Sequence, residues 1–275
     1  MTQKRSVFLI LLIAAFGILS SCNSYQKLLR SNDINLKYNS ALELYNKADY
    51  QRALPLLEDV FKFYIGTPQA ETISYMLAYS YYKLGEFTLG AFQFKNFAEG
   101  YPLSEHAEEA NYYYAYCLYL DSPQKDLDQG SSVAAINAFQ LYLTKYPNSK
   151  HVDECNRNID ILSNKLEEKA VDNAILYYTI ENYKAAIWAI RNVLEQYPST
   201  KDREHLEFII VRSSYLYAEN SVDNKKLERY TSTVQYYNEF KEKFPASKYD
   251  AELAVIIKEA NLRIQQLKPI SKHEQ

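Results

Sequence analysis

Four times the chain sets a proline directly after an aromatic residue, in "EGYPLSEH", "YLTKYPNSKH", "EQYPSTKD" and "EKFPASKY". The prolines are Pro102, Pro147, Pro198 and Pro245, so the phrase returns after 45, 51 and 47 residues. A phrase repeated at such spacing marks a solenoid of stacked supersecondary units. Proline disfavours helical geometry in the residue before it, so each phrase ends a helix. Two positions on, Ser104, Ser149, Thr200 and Ser247 bring an oxygen suited to capping the next helix. The phrase therefore reads as a hinge between repeats. Only six glycines in 275 residues argue for helices, because sheet proteins need more turn glycine. The expected fold class is all-α.

A tetratricopeptide-type (TPR) unit of about 34 residues, two helices with small residues where they cross, gives a register to test. Ala41, Tyr50, Ala53 and Leu57 fit the first unit, with Ile65 where proline would stand. Ala78, Phe87, Gly90 and Phe94 fit the second; Ala115, Ala135, Phe139 and Tyr142 the third; Ala174, Tyr183, Ala186 and Ile190 the fourth. Tyr230, Thr233, Tyr237 and Phe240 fit the second helix of a fifth unit, whose first helix falls around Glu204 to Glu219. The expected architecture is a right-handed TPR-type α-solenoid of about five helix pairs plus a C-terminal capping helix, Lys248 to about Leu267, which such arrays require.

The residues in excess of each unit have composition to place them. "LDSPQKDLDQGSS" (Leu120 to Ser132) and "ENSVDNKKLER" (Glu219 to Arg229) read as polar loops. "SKHVDECNRNIDILSNKL" lacks Gly and Pro and spaces Ile159, Leu162 and Leu166 helically, predicting one long helix from Lys150 to Ile180. That helix would join an N-terminal block of three repeats, residues 35–149, to a C-terminal block, residues 150–268, with a tail at 269–275.

The N-terminus reads separately. Lys4 and Arg5 precede the apolar run "VFLILLIAAFGIL" (Val7 to Leu19), which has the length of a signal peptide and is short for a spanning helix. "LSSC", Leu19 to Cys22, resembles the lipobox of bacterial lipoproteins. That resemblance implies cleavage after residue 21, a diacylglycerol and an N-acyl chain on Cys22, and a linker over residues 22–34. Each buried methylene would contribute about 0.8 kcal/mol to anchoring. "NSYQKLL" after Cys22 carries no acidic cluster, which favours an anchor facing the periplasm. The mature chain would hold 29 basic against 34 acidic residues, near −5, which is no footprint for nucleic acid. Cys117 and Cys155 lie on different predicted helices and are expected as buried thiols, a disulfide being the other state open to them in an oxidising compartment.

Nothing in the chain has the pattern of catalysis. HExxH, CxxC, nucleophile-elbow and Gly-rich phosphate motifs are missing from the sequence. His106 and His151 each follow a turn proline by four residues, so they recur with the repeat and do not converge as metal ligands must. The expectation is a chain that is not an enzyme and takes neither metal nor cofactor. What exceeds background is tyrosine. Positions 5, 9 and 12 of the first helix in a unit line the concave face; they are Tyr75, Tyr79 and Tyr82 in the second unit and Tyr112, Tyr116 and Tyr119 in the third. Tyr38, Leu42 and Tyr45 hold the same positions in the first. Rigid rings with a hydroxyl suit a groove for an extended peptide; mutual packing of the rings inside a narrow superhelix is the other reading. Arg203, after the turn between the fourth and fifth units, is a candidate partner contact.

These features together resemble the BamD family, lipoproteins of the machinery that folds β-barrels into the bacterial outer membrane. "NKADYQRAL" (Asn46 to Leu54), "AYSYYK" (Ala78 to Lys83), "AFQLYLTKYPNS" (Ala138 to Ser149) and "ILYYTIENYKAAIWAIRNVLEQYPST" (Ile175 to Thr200) carry the resemblance over nearly all of the mature chain. It implies a lipid-anchored, non-catalytic scaffold at the periplasmic face of the outer membrane. Its C-terminal repeats would hold a BamA-like barrel protein, and its N-terminal groove would receive unfolded outer-membrane protein precursors that end in an aromatic residue. A TPR lipoprotein scaffolding another envelope or cell-wall complex is the alternative.

Overall fold

The computed structural model describes residues 24–268; the expected signal peptide, Cys22 and the tail lie outside the described residues. Twelve helices and no strand occur among the described residues. A short helix, α1 (residues 24–29), precedes five helix pairs. They are α2 (Ile34–Asn46) with α3 (Tyr50–Tyr64), α4 (Pro68–Lys83) with α5 (Phe87–Gly100), α6 (Ala107–Leu120) with α7 (Gly130–Lys145), α8 (Val152–Thr179) with α9 (Tyr183–Gln196), and α10 (Arg203–Glu219) with α11 (Asp223–Lys243). The last helix, α12 (Asp250–Leu267), packs on α11 and α10. The fold is all-α, built of TPR-type pairs.

The aromatic-proline phrases end helices α5, α7, α9 and α11 in one geometry. Tyr101, Tyr146, Tyr197 and Phe244 have φ of −129°, −129°, −122° and −130° with ψ between 60° and 74°, outside the helical region as a following proline demands. Each N–H still reaches back 2.8 Å to the carbonyl four residues earlier. In three of them the ring also lies on the aromatic residue at that earlier position, 5.3 Å for Tyr101 on Phe97, 5.2 Å for Tyr146 on Tyr142 and 5.1 Å for Phe244 on Phe240. The expected caps differ in detail. Ser104, Ser149, Thr200 and Ser247 accept from the N–H two residues on, at 3.1 to 3.3 Å, and so close a hydroxyl turn ahead of the helix instead of capping its first turn.

The turn inside a pair has its own requirement. Ala48, Gly85 and Glu181 stand two residues before the second helix of their pairs, at φ of 58°, 80° and 61°. A left-handed backbone costs a side-chain-bearing residue roughly 1–2 kcal/mol, and only Gly85 escapes that cost. Glu181→Gly is therefore expected to raise stability by about 0.5–1 kcal/mol, visible as a higher thermal midpoint; a lower midpoint would show that the turn is not strained.

The small residues sit where the register put them. Ala41, Ala53, Ala78, Ala115, Ala135 and Ala186 are fully buried. At Gly90 a Cβ would stand 3.2 Å from Cys117 Sγ and 3.4 Å from the Tyr82 backbone nitrogen, so α5 lies against α4 and α6 too closely for a larger side chain. Cys117 and Cys155 are both free and buried, and burial pushes their thiols up to about 12 and about 11.

Two expectations need correction. The segment from Glu219 to Arg229 is a loop only at 220–222; α11 begins at Asp223. Polar composition there belongs to a solvated helix face, tied by the ion pairs Asp223–Lys226 (2.9 Å) and Lys225–Glu228 (3.4 Å). The loop of the third pair covers 121–129, shorter at both ends than composition suggested, and buried Gln129 organises it by donating to the carbonyls of Gln124 and Leu127. The long helix is present as α8, 28 residues or roughly 42 Å at 1.5 Å per residue. The chain divides within it into two compact units, through Leu162 and from Ser163.

In the first unit Cys155 and Leu162 of α8 join the core of α6 and α7 around Phe139 and Tyr142. In the second, Val171 and Ala174 join the core of α9 to α12 around Ile190, Leu206, Ile210 and Phe240.

Candidate peptide-binding face

On α4 and α6 the spacings i, i+4 and i+7 put three tyrosines on one face of each helix. Tyr75 and Tyr79 stack with ring centroids 6.1 Å apart, and Tyr79 meets Tyr82 at 5.8 Å. Tyr112 and Tyr116 stack at 5.6 Å, and Tyr116 and Tyr119 at 5.9 Å. The ladders touch where Tyr82 meets Tyr116 at 6.2 Å, and Tyr45 of α2 extends the band by meeting Tyr79 at 6.2 Å. The six tyrosines singled out by spacing do come together.

They are not equivalent. Tyr75, Tyr79, Tyr82, Tyr116 and Tyr119 are half-buried, while Tyr112 is only 5 % exposed. Tyr112 is thus corrected from groove surface to support, because the His151 ring covers it at 3.9 Å and Tyr142 meets its edge at 5.9 Å. The rings pack against one another, and five of the six keep part of their surface exposed.

Three contributors escaped the sequence reading. Tyr113, one residue off the spacing, wedges between the ladders, 4.8 Å from Tyr82, 5.6 Å from Tyr79 and 5.2 Å from Phe94. The other two are a phrase used twice, "HAEE" (His106 to Glu109) and "HVDE" (His151 to Glu154). His106 stacks on Tyr75 at 4.3 Å, and Glu109 accepts from the Tyr75 hydroxyl at 2.5 Å. His151 stacks on Tyr112, and the Glu154 carboxylate lies 3.5 Å from His151 Nδ1. The starts of α6 and α8 therefore clamp the leading tyrosine of the unit before them. The signal was the shared H-x-x-E spacing, which a search for convergent metal ligands passes over. Among the described residues no three or more His, Cys, Asp or Glu side chains are grouped to hold a metal ion.

Burial is the main cause that raises the pKa of Tyr45, Tyr75, Tyr82, Tyr112, Tyr113 and Tyr116, reinforced by Glu109 at Tyr75 and by Glu154 at Tyr112. The hydroxyls of Tyr82 and Tyr116 stay protonated donors, suited to backbone carbonyls. Lys83 supplies the cation, its Nζ 5.4 Å from the Tyr79 ring centre and 5.8 Å from that of Tyr82.

Arg203, expected to face a partner, is committed within the chain. Its guanidinium donates to the carbonyls of Leu194 (3.1 Å) and Pro198 (2.8 Å and 3.1 Å) and lies 3.7 Å from Glu207. It satisfies carbonyls left unpaired at the end of α9 and locks the turn.

Helix pairs of this register with an aromatic face define a TPR-type helical-repeat protein. The profile of the outer membrane lipoprotein family YfiO matches residues 31–225, and the chain belongs to that family. It is similar to the outer membrane protein assembly factor BamD of Rickettsia prowazekii, 24% identical over 241 residues, covering 85% of this chain and 92% of the relative. The protein of the same name from Vibrio cholerae is 23% identical over 228 residues, covering 78% and 93%. Among solved structures, the TPR domain of P58(IPK) aligns at 14% identity and a TM-score of 0.38, over 88% of this chain and 68% of that one.

Proposed function

We propose that the chain is a non-catalytic assembly factor for outer-membrane β-barrel proteins, held on the periplasmic face of the outer membrane by acyl chains on Cys22. Its N-terminal repeats, residues 35–149, receive unfolded precursors, and its C-terminal repeats, residues 150–268, hold a BamA-like barrel component. The observation that carries the reading is the half-buried tyrosine band with Lys83 beside it. Rings and hydroxyls suit an extended segment ending in an aromatic side chain, and the lysine suits its terminal carboxylate. The relatives named as assembly factors, matched over most of their length, support the same direction.

The test is affinity for a synthetic peptide that ends in phenylalanine. Tyr79→Ala combined with Tyr116→Ala is expected to weaken binding by about tenfold, or 1.4 kcal/mol, with helix content preserved. Unchanged affinity would overturn the groove. Co-purification from mildly solubilised membranes tests the assembly role: a barrel protein with periplasmic domains is the expected companion, and cell-wall enzymes in its place would assign the scaffold to another envelope complex.

A further inference from the structure

A second concave surface lies in the other unit, with a different chemistry. A groove of about 440 Å³ runs between α9, α10 and α11. Trp188, the single tryptophan of the chain, stands in it 70 % exposed, on the side of α9 opposite buried Ala186, Ile190 and Val193. A large aromatic ring left this open in the wall of a groove lacks the packing that buries Phe208, Tyr230 and Phe240 in the same unit.

Four of the five charged side chains that line it are cationic. Lys184 and Arg191 lie four residues before and three after Trp188, on the same helix face. Arg229 approaches from α11. Among the described residues, none of these three has a carboxylate within ion-pair distance; the one acid in the lining, Glu228, pairs with Lys225 at 3.4 Å. Aromatic rings hold the guanidinium groups instead. Arg229 lies 3.9 Å from the Tyr217 ring centre and donates to Ser221 Oγ, and Arg191 lies 5.6 Å from that of Tyr236 with its Nη1 3.4 Å from the hydroxyl. Stacking fixes their direction and leaves N–H donors open to a planar anion. In a chain of net charge −3, three uncompensated cations gathered around one exposed indole are a local inversion of sign.

We propose that this groove docks an extended acidic segment of a partner protein, its carboxylates on Arg191, Arg229 and Lys184 and one apolar side chain against Trp188. Arginine and tryptophan are the residue types that concentrate binding energy at protein interfaces, and bidentate arginine–carboxylate pairs supply direction. A nucleic acid would need a run of cations along a strip, and a bilayer a flat face; a narrow concavity with a single indole fits neither. The site is separate from the tyrosine band, so the proposal goes beyond the reading above.

Because Trp188 is the only tryptophan, its fluorescence reports this groove directly. The full chain in detergent is titrated with a short peptide of alternating Glu and Leu, with its Gln and Leu counterpart, and with phosphatidylglycerol vesicles. A saturable blue shift is expected with the acidic peptide alone, weakening as salt rises. Arg191→Gln with Arg229→Gln should lower affinity by about tenfold or more. Should that variant lose helix, Lys184→Gln, at a side chain that makes no hydrogen bond or ion pair among the described residues, is expected to lower affinity about threefold without touching the fold. Equal responses to the acidic and neutral peptides, a response to vesicles only, or affinity unmoved in a folded variant would overturn the proposal. The Tyr79→Ala, Tyr116→Ala protein should keep the full response, which separates failure here from failure of the precursor groove.

Discussion

Tyr112→Ala is expected to cost about 3–5 kcal/mol of folding stability, the largest loss of any single tyrosine in the band. The ring is 5 % exposed, sandwiched between His151 at 3.9 Å and Tyr116 at 5.6 Å, with Tyr142 against its edge. Its removal leaves a cavity at the junction of α6, α7 and the start of α8, and strands the His151 ring. Tyr112→Phe keeps the ring and removes the hydroxyl near Glu154, so it should cost only about 1 kcal/mol. Denaturant midpoints for the two variants check the pair. A cost near 0.5 kcal/mol for Tyr112→Ala, the scale of surface substitutions, would return the residue to the groove surface.

Alkaline pH should unfold the protein steeply, with tyrosine as the cause. Burial pushes Tyr81 and Tyr142 up to about 12 and raises Tyr45, Tyr75, Tyr112 and Tyr113 further. Below the ordinary tyrosine value of about 10, both folded and unfolded chains keep these protons, and stability is unaffected. Above it the unfolded chain releases them while the folded chain does not, so stability falls as pH climbs from about 10 toward the raised values. Several such groups act in one window and their slopes add. Tyrosinate absorbance from these six rings should therefore rise only above about pH 10 and together with loss of helix signal. A single rise near pH 10 with helix intact would mean that the rings are open to solvent.

Most of the fold was legible because its punctuation is local. A proline acts on the residue before it, and a small residue at a helix crossing is required wherever the crossing falls, so Tyr146–Pro147 and Ala135 announce their roles without long-range information. The segment after Glu219 is ambiguous in sequence for a related reason: charged residues from Asp223 onward look the same in a loop and on a solvated helix, and only their i,i+3 pairing distinguishes the two. The turns at Ala48 and Glu181 gave no signal, since neither residue favours the left-handed backbone it adopts.

By itself the sequence determined the repeat, the helix boundaries at the aromatic-proline phrases and the alignment of tyrosines along α4 and α6, all consequences of spacing along one chain. Only the tertiary structure decided which tyrosines support and which face outward, that His106 and His151 clamp the preceding unit, that Arg203 is spent on its own turn, and that Lys184, Arg191 and Arg229 surround Trp188. Those outcomes depend on the rotation and separation of neighbouring helices, which bring residues 31 to 45 positions apart, such as Tyr75 with His106 and Arg191 with Tyr236, into contact. Packing between helices fixes such distances, and no periodicity within a helix encodes them.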